Sequence, residues 1–336
     1  MTDLFTLTAL SIAVAGFVVG IVVGLTGMGG GALMTPALLF LGVGNPTTVI
    51  TADLTAAAVY KTSGAMVHRR EGSPNMQLAL WLMIGSIPTA LAGPHVVKAL
   101  ATDAKALETD LKIYLGFALL IAAATYAIRL LINLRRIRGG HHEVDDNPTI
   151  RKIPTLLVGA LGGLLVGITS VGSGSVIMIS LLMLYPGLSA VKLVGTDLVQ
   201  AVPLVLAAAL SNIALHGLDW GLLLPLLVGS VPGTMLGSKL APRVPQSIIR
   251  RGIVVVLTMS GVALLDKAGW APLGAGEDET HPMLIAGIGL AMVVILPLAW
   301  GVIRRRHGLP MFGSPTVAQL EDPAYRPGVI GMKRVD

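Results

Sequence analysis

Two glycine-rich breaks in otherwise apolar sequence bring together groups that could hold a small anion. The first runs Thr26-Gly27-Met28-Gly29-Gly30-Gly31, the second Thr169-Ser170-Val171-Gly172-Ser173-Gly174-Ser175. Gly27, Gly29, Gly30, Gly31, Gly172 and Gly174 allow close backbone approach and backbone angles that other residues resist. A helix that restarts after such a break presents unpaired N–H groups and a partial positive charge, and both attract an anion. Thr26, Thr169, Ser170, Ser173 and Ser175 add hydroxyls that can donate to oxyanion oxygens. Small residues also serve tight helix–helix packing in membranes. Two such breaks at equivalent places in a duplicated sequence favour binding over packing alone.

Asp53, Asp197 and Lys61 form a second set. Both aspartates stand inside apolar segments and follow small or hydroxyl-bearing residues. A carboxylate at membrane depth costs at least about 2.5–3.5 kcal/mol on insertion scales, so it lines a cavity, pairs, or carries protons. A coupling or gating role is expected for them, with helix N-capping near a membrane face as the alternative. Lys61 lies about two helical turns beyond Asp53 on the same face. It could neutralise Asp53 or attract substrate, or snorkel to the membrane face beside Arg69. His68 is expected at that face, and Gln200 and Asn212 as inter-helix hydrogen-bond formers. His141 and His142, beside Glu143, Asp145 and Asp146, read as a solvated charge run rather than a metal site. No metal or cofactor is expected, and the absence of cysteine excludes disulfides and thiolate metal sites.

The elements that must position these residues are membrane helices. The chain is 54% hydrophobic and 12% charged, where a soluble domain has about 25% charged residues. Windows such as 78–97, 111–134 and 254–265 have almost no polar face, as helices in lipid require. Apolar segments fall at about 5–25, 28–43, 47–67, 77–98, 110–134, 155–170, 173–186, 189–215, 221–241, 247–265 and 282–303. The start lacks the basic region of a signal peptide and reads as a retained first helix. The pairs 5–25/28–43 and 155–170/173–186 carry the glycine breaks, and each is expected to form a broken or re-entrant hairpin. Non-helical backbone at that depth survives only when protein or a water-filled cavity covers it.

The sequence is duplicated. Gly16, Gly20, Val23, Gly24, Thr26, Gly29 and Gly31 recur in register as Gly159, Gly163, Val166, Gly167, Thr169, Gly172 and Gly174. After one inserted residue, Asp53-Leu54 recurs as Asp197-Leu198, Gly85-Ser86-Ile87-Pro88 as Gly229-Ser230-Val231-Pro232, and Gly93 as Gly237. Lys61 has no counterpart, since Val205 takes its place. Paired interrupted helices in two related halves are the pattern of a transporter with its site near the midplane.

Basic residues set the orientation. Arg69 and Arg70, the cluster Arg135, Arg136, Arg138, Arg151 and Lys152, then Arg243, Arg250 and Arg251, then Arg304–Arg306 mark cytoplasmic segments. The opposing loops 99–110, 216–220 and 266–281 are neutral or acidic. This alternation closes only if the halves are inverted: a first transmembrane repeat at 1–134, a cytoplasmic linker at 135–154, and a second repeat at 155–265. One additional transmembrane helix at 282–303 and a disordered cytoplasmic tail at 304–336 complete the chain. The expected fold is an all-α, polytopic transmembrane protein. The net charge of +6 sits in cytoplasmic loops and calls for no nucleic acid.

Several motifs together resemble one family. They are Gly27-Met-Gly-Gly-Gly-Ala-Leu-Met-Thr-Pro36, Gly195-Thr196-Asp197-Leu198, His68-Arg69-Arg70, and the Gly-Ser-x-Pro sequence present in both halves. In this order and duplication they resemble the sulfite exporter TauE/SafE permeases, over about residues 10–265. The resemblance implies a multi-pass permease of the bacterial inner membrane that moves small sulfur anions such as sulfite, sulfoacetate or related sulfonates. The expected activity is secondary carriage of such an anion coupled to protons. An anion channel of the same architecture and a carrier for a non-sulfur carboxylate are the alternatives, and a homo-oligomer is left open. An enzyme is not expected: a nucleotide loop at Gly27-x-Gly29 would need a preceding strand and a soluble crevice. Nor does Ser173, with Val171 two residues before it, suit an intramembrane serine protease.

Overall fold

The computed structural model describes residues 7–26, 30–71, 74–138, 148–185, 187–188, 190–240, 246–270 and 281–306, and every regular element among them is helical. In chain order these are α1 (Leu7–Thr26), α2 (Gly31–Phe40), α3 (Pro46–Glu71), α4 (Met76–Leu100), α5 (Ala104–Arg138) and α6 (Lys152–Thr169). A π-helical turn, Ser173–Ile177, then leads into α7 (Met178–Leu184), followed by α8 (Ala190–His216), α9 (Trp220–Leu240), α10 (Gln246–Lys267) and α11 (Pro282–Arg306). Each apolar segment of the sequence corresponds to one of these elements within a few residues. Gly27, Gly29, the charged run His141–Asp146, and the tail from 307 onward lie outside the described residues, as do the side chains of Thr26, His68 and Ser173.

Among the described residues six helices are long and apolar enough to cross a membrane, α1, α4, α6 and α9 included. The chain is a multi-pass membrane protein, and exposed apolar side chains such as Leu10, Leu157, Leu210, Val228 and Leu290 suit contact with lipid. By contrast α2 has 10 residues and α7 has 7. At about 1.5 Å of rise per residue, neither reaches across a hydrocarbon core of about 30 Å. The glycine-broken pairs are therefore each one long helix followed by a short one.

Local chemistry sets the boundaries. Asn45 accepts from the Thr48 backbone N–H at 2.9 Å, and Pro46 occupies the first helical position, so α3 begins there. Asn75 caps α4 through a 3.0 Å bond from the Leu78 N–H. Asp53 and Asp197 therefore sit well inside α3 and α8, and the capping alternative does not apply to them.

Packing repeats the duplication residue by residue. In α1, Gly16, Gly20 and Gly24 lie against the α9 backbone at Leu226, Ser230 and Thr234. In α6, their counterparts Gly159, Gly163 and Gly167 lie against α4 at Leu82, Ser86 and Ala90. The relation runs the other way too: Gly229 and Gly237 face Ala13 and Ile21, while Gly85 and Gly93 face Leu156 and Leu164. A Cβ at most of these glycines would overlap a neighbouring backbone atom, so the absent side chain is what lets the helices approach. Helices α5 and α10 meet in the same manner, Gly116 against Gly261 and Leu265, and Gly261 against Gly116 and Leu120. Every one of these contacts maps onto another when the halves are exchanged. Helix α3 packs on α8 between them, and α11 adds to α10. The centre of the protein is thus α3 and α8, flanked by the ends of both broken pairs.

Candidate functional site

Asp53 is wholly buried and gathers groups from three elements. Its Oδ2 accepts from the Thr35 hydroxyl of α2 at 2.5 Å and from the Ser170 hydroxyl at 2.9 Å. Ser170 ends α6 in the left-handed conformation (φ 61°), which is rare for a residue with a side chain. Its N–H still bonds the Val166 carbonyl at 2.8 Å. Two residues later Gly172, at φ 133°, turns the chain into the π-helical turn. The break therefore aims the Ser170 hydroxyl sideways at α3 instead of along its own helix.

The first half closes on this break. A Cβ on Gly31 would overlap the Ser170 backbone carbonyl and come within 2.6 Å of its Oγ, so α2 starts in direct contact with the end of α6. One residue earlier, the Gly30 N–H donates to the Tyr60 hydroxyl at 2.9 Å. Tyr60 is buried on α3, about two turns beyond Asp53.

Lys61 completes the centre. It is buried, not snorkelled, with 7% of its surface exposed, and it interacts electrostatically with both Asp197 and Asp53. Asp197 is buried on α8 and accepts from the Gln200 side-chain amide at 3.0 Å. A buried ammonium within electrostatic reach of two buried carboxylates is a compensated group, since each charge alone in a low-dielectric interior is strongly unfavourable. Among the described residues, Asp53 Oδ1, Gln200 Oε1 and Ser175 Oγ are buried with no hydrogen-bond partner, as are Ser86 Oγ and Ser230 Oγ on the α4–α6 and α1–α9 seams. Three of these atoms belong to the centre, where they have acceptor or donor capacity to spare.

The structure thus brings Gly30, Gly31, Ser170, Asp53, Lys61 and Asp197 together, with Ser175 a second buried hydroxyl beyond the same break. Thr169 instead bonds its own turn, donating to the Leu165 carbonyl at 2.6 Å and accepting from the Val171 N–H at 3.2 Å. Asn212 bonds the Gly167 and Ala208 carbonyls and so braces the end of α6. Thr35, Tyr60 and Gln200 are additions that the sequence reading did not assign to the site. Thr35 has Met178 as its repeat counterpart, so the duplication carries no signal for it.

Two cavities among the described residues are lined by none of the groups around Asp53. A small one of about 10 Å³ is lined by Thr47, Ile50, Val97, Leu111, Ile168 and His216. Ile50 lies one turn, about 5 Å, before Asp53 on α3, so this cavity sits toward the α3 N-terminus. The other, about 590 Å³, lies between α1, α2 and α10 and has Ser260 as its polar side chain. Its lining of Val18, Val22, Leu33, Phe40 and Ile253 offers an anion no partner. Among the described residues no group of His, Asp and Glu converges as a metal site requires.

Membrane helices packed in two related halves around a buried, charged, hydroxyl-lined centre define a membrane transport protein. The chain belongs to the sulfite exporter TauE/SafE family, whose model matches residues 12–264. It is 34% identical over 257 residues to the "Probable membrane transporter protein YjnA" of Bacillus subtilis (strain 168), covering 76% of this chain and 100% of that protein. It is 28% identical over 250 residues to YdhB of the same organism, described in the same words, covering 74% and 97% of the two chains. A "Probable membrane transporter protein" of Xylella fastidiosa (strain 9a5c) is 26% identical over 266 residues, covering 78% and 96%. No solved structure matches the chain.

Proposed function

We propose that the protein is a secondary carrier for a small anion, a sulfur oxyanion or organosulfonate, and that it moves protons with its cargo. The observation that carries this reading is Asp53, a buried carboxylate held by a hydroxyl from the first broken pair and another from the second. A group placed where the halves meet, and bonded to both, senses any movement of one against the other. The family description names sulfite export, which supports the sulfur anion as cargo.

In this reading the halves are inverted repeats, 1–134 and 155–265, joined by a cytoplasmic linker at 135–154. They rock about the α3–α8 centre to alternate access. The anion is bound by the hydroxyls and backbone N–H groups around Gly30, Gly31, Ser170, Ser173 and Ser175, with the Lys61 ammonium as its counter-charge. Gly27, Gly29, Gly172, Gly174, Thr26 and Thr169 shape the breaks. Asp53 and Asp197 repel an anion when charged and so act as proton carriers rather than ligands.

Thermal unfolding of the purified protein with sulfite, sulfoacetate, thiosulfate, taurine or acetate tests the cargo, because a ligand of the folded state raises its apparent stability. Sulfite or sulfoacetate should raise the midpoint and acetate should not. Flux of the stabilising anion into proteoliposomes should saturate and show counterflow. Linear flux without counterflow would mean a channel.

A further inference from the structure

The donors around Asp53 have a property that bears on how a proton and an anion share the site. A hydroxyl has one hydrogen to give. Thr35 and Ser170 both give theirs to Asp53 Oδ2. Asp53 and Thr35 are wholly buried and Ser170 nearly so, so no bulk water competes for these hydrogens. While Asp53 is charged, neither hydroxyl is available to an anion. Once Asp53 is protonated, its demand for donors falls and both hydrogens can turn to another acceptor a short distance away.

Lys61 follows the same logic in charge. It serves two carboxylates, and the position has no basic counterpart in the second half, where Val205 stands. With Asp53 and Asp197 both charged, the three groups sum to one negative charge, and a bound monoanion would make it two. Burying that second charge is unfavourable unless a proton arrives with it. The charges that act on Lys61 are those of Asp197 and Asp53, and the elements packed against α3 carry other titratable groups. Tyr60 is neutral and bonded to Gly30, and α2 has no titratable residue. Lys192 and His216 stand near the ends of α8, Lys239 at the end of α9, and on α5 Lys105, Glu108, Asp110, Lys112 and Tyr114 in the first turns with Tyr126, Arg129, Arg135, Arg136 and Arg138 in the second half of that helix.

We propose that Thr35, Ser170 and Lys61 form one donor set that serves the Asp53 carboxylate in the empty site and the anion once Asp53 holds a proton, so that one proton enters with each monoanion. This rests on the anion-carrier reading above and assigns Thr35 as a further binding residue. The step involves no bond to the cargo: a solvent proton adds to Asp53 while the two hydroxyl hydrogens and the ammonium are redirected to the anion. Proton and anion then bind cooperatively, each raising the affinity for the other by the same factor.

The test uses the full-length protein with sulfite and methanesulfonate as probes, the latter a monoanion throughout the pH range used. Binding of methanesulfonate should weaken about tenfold per pH unit on the alkaline side, a slope of one proton, with one proton taken up per anion in weakly buffered solution. Transport should not respond to an imposed membrane potential. Asp53→Asn should bind the anion with affinity independent of pH. Thr35→Val should weaken binding by about tenfold or more, the worth of a hydrogen bond to a charged group, and Thr35→Ser, which keeps the hydroxyl, should restore it. Anion binding without proton uptake, or a Thr35→Val protein that binds as well as wild type, overturns the shared donor set and leaves the anion reading standing. Failure of both probes to bind at any pH overturns the anion reading itself.

Discussion

Gly31, at the start of α2, lies directly against Ser170, at the end of α6, with no room for a side chain between them. The two glycine breaks, far apart in sequence, are one contact in space. Ser170 also holds Asp53 at 2.9 Å. A shift of α2 against α6 must therefore alter the hydrogen bonding of a buried charge. That couples the packing of the halves to the chemistry at their centre.

Gly31→Ala tests this contact. The added carbon would overlap the Ser170 carbonyl, a backbone atom that cannot rotate away. Overpacking of this kind costs about 1–3 kcal/mol, and the thermal midpoint should fall accordingly, with transport lost. Gly287→Ala in α11 is the control, because a Cβ there meets nothing within 4 Å. A Gly31→Ala protein as stable and active as wild type would falsify the contact.

Tyr60→Phe removes the hydroxyl that accepts the Gly30 N–H. The ring still fills its place, but a buried donor is left without a partner, at a cost of about 1–3 kcal/mol. The expected result is a destabilised protein whose transport falls through poorer positioning of α2. Unchanged stability and unchanged transport would show that the Gly30–Tyr60 bond holds nothing in place.

The membrane helices were legible because hydrocarbon demands long apolar runs, and the two halves because Gly16, Gly85 and their counterparts Gly159 and Gly229 recur in register. The reason those glycines recur is packing: each lets α1 approach α9, or α6 approach α4. The equivalence of Gly116 and Gly261 has no mark in the sequence, since little identity surrounds either one and only their mutual contact reveals the pairing. The site was legible where its residues are duplicated, as with Asp53 and Asp197. Thr35, Tyr60 and Gln200 were not, because their roles come from asymmetry. Each supplies a polar group to one half alone, and a comparison that seeks identity passes over them. Whether Asp53 caps a helix could not be read from apolar runs, which leave helix starts uncertain by a turn. Asn45 resolves it by capping α3 two turns earlier.

Orientation is open to direct labelling, because the chain has no cysteine of its own. If the halves are inverted repeats, a cysteine replacing Thr102 should react with an impermeant reagent from outside, together with one placed at the N-terminus. A cysteine replacing His142 in the linker should react only after the cytoplasmic face is opened. The N-terminal cysteine and the one at His142 on the same side would rule out the inverted arrangement.

The two aspartates should separate under one substitution. Asp→Asn keeps the shape and removes the charge. Asp53 is held by hydroxyls from both halves, whereas Asp197 accepts from Gln200, the next turn of its own helix. Movement of the halves reaches Asp53 through hydrogen bonds to both of them, whereas Asp197 meets the first half electrostatically, through Lys61. Asp53→Asn should therefore still bind anion and exchange labelled anion in counterflow, because an uncharged side chain at that position imitates the protonated state. It should not accumulate anion against its gradient when a pH difference is imposed, since no proton accompanies the cargo. Asp197→Asn should retain pH-driven accumulation with a changed apparent affinity, because Lys61 loses one of its two counter-charges. Both measurements are made on the same proteoliposomes, net uptake under a pH difference and exchange without one. If Asp53→Asn accumulates anion as wild type does while Asp197→Asn fails, the coupling residue is Asp197. If both accumulate it with unchanged pH dependence, neither carboxylate carries the proton, and the pair serves only to hold Lys61 in place.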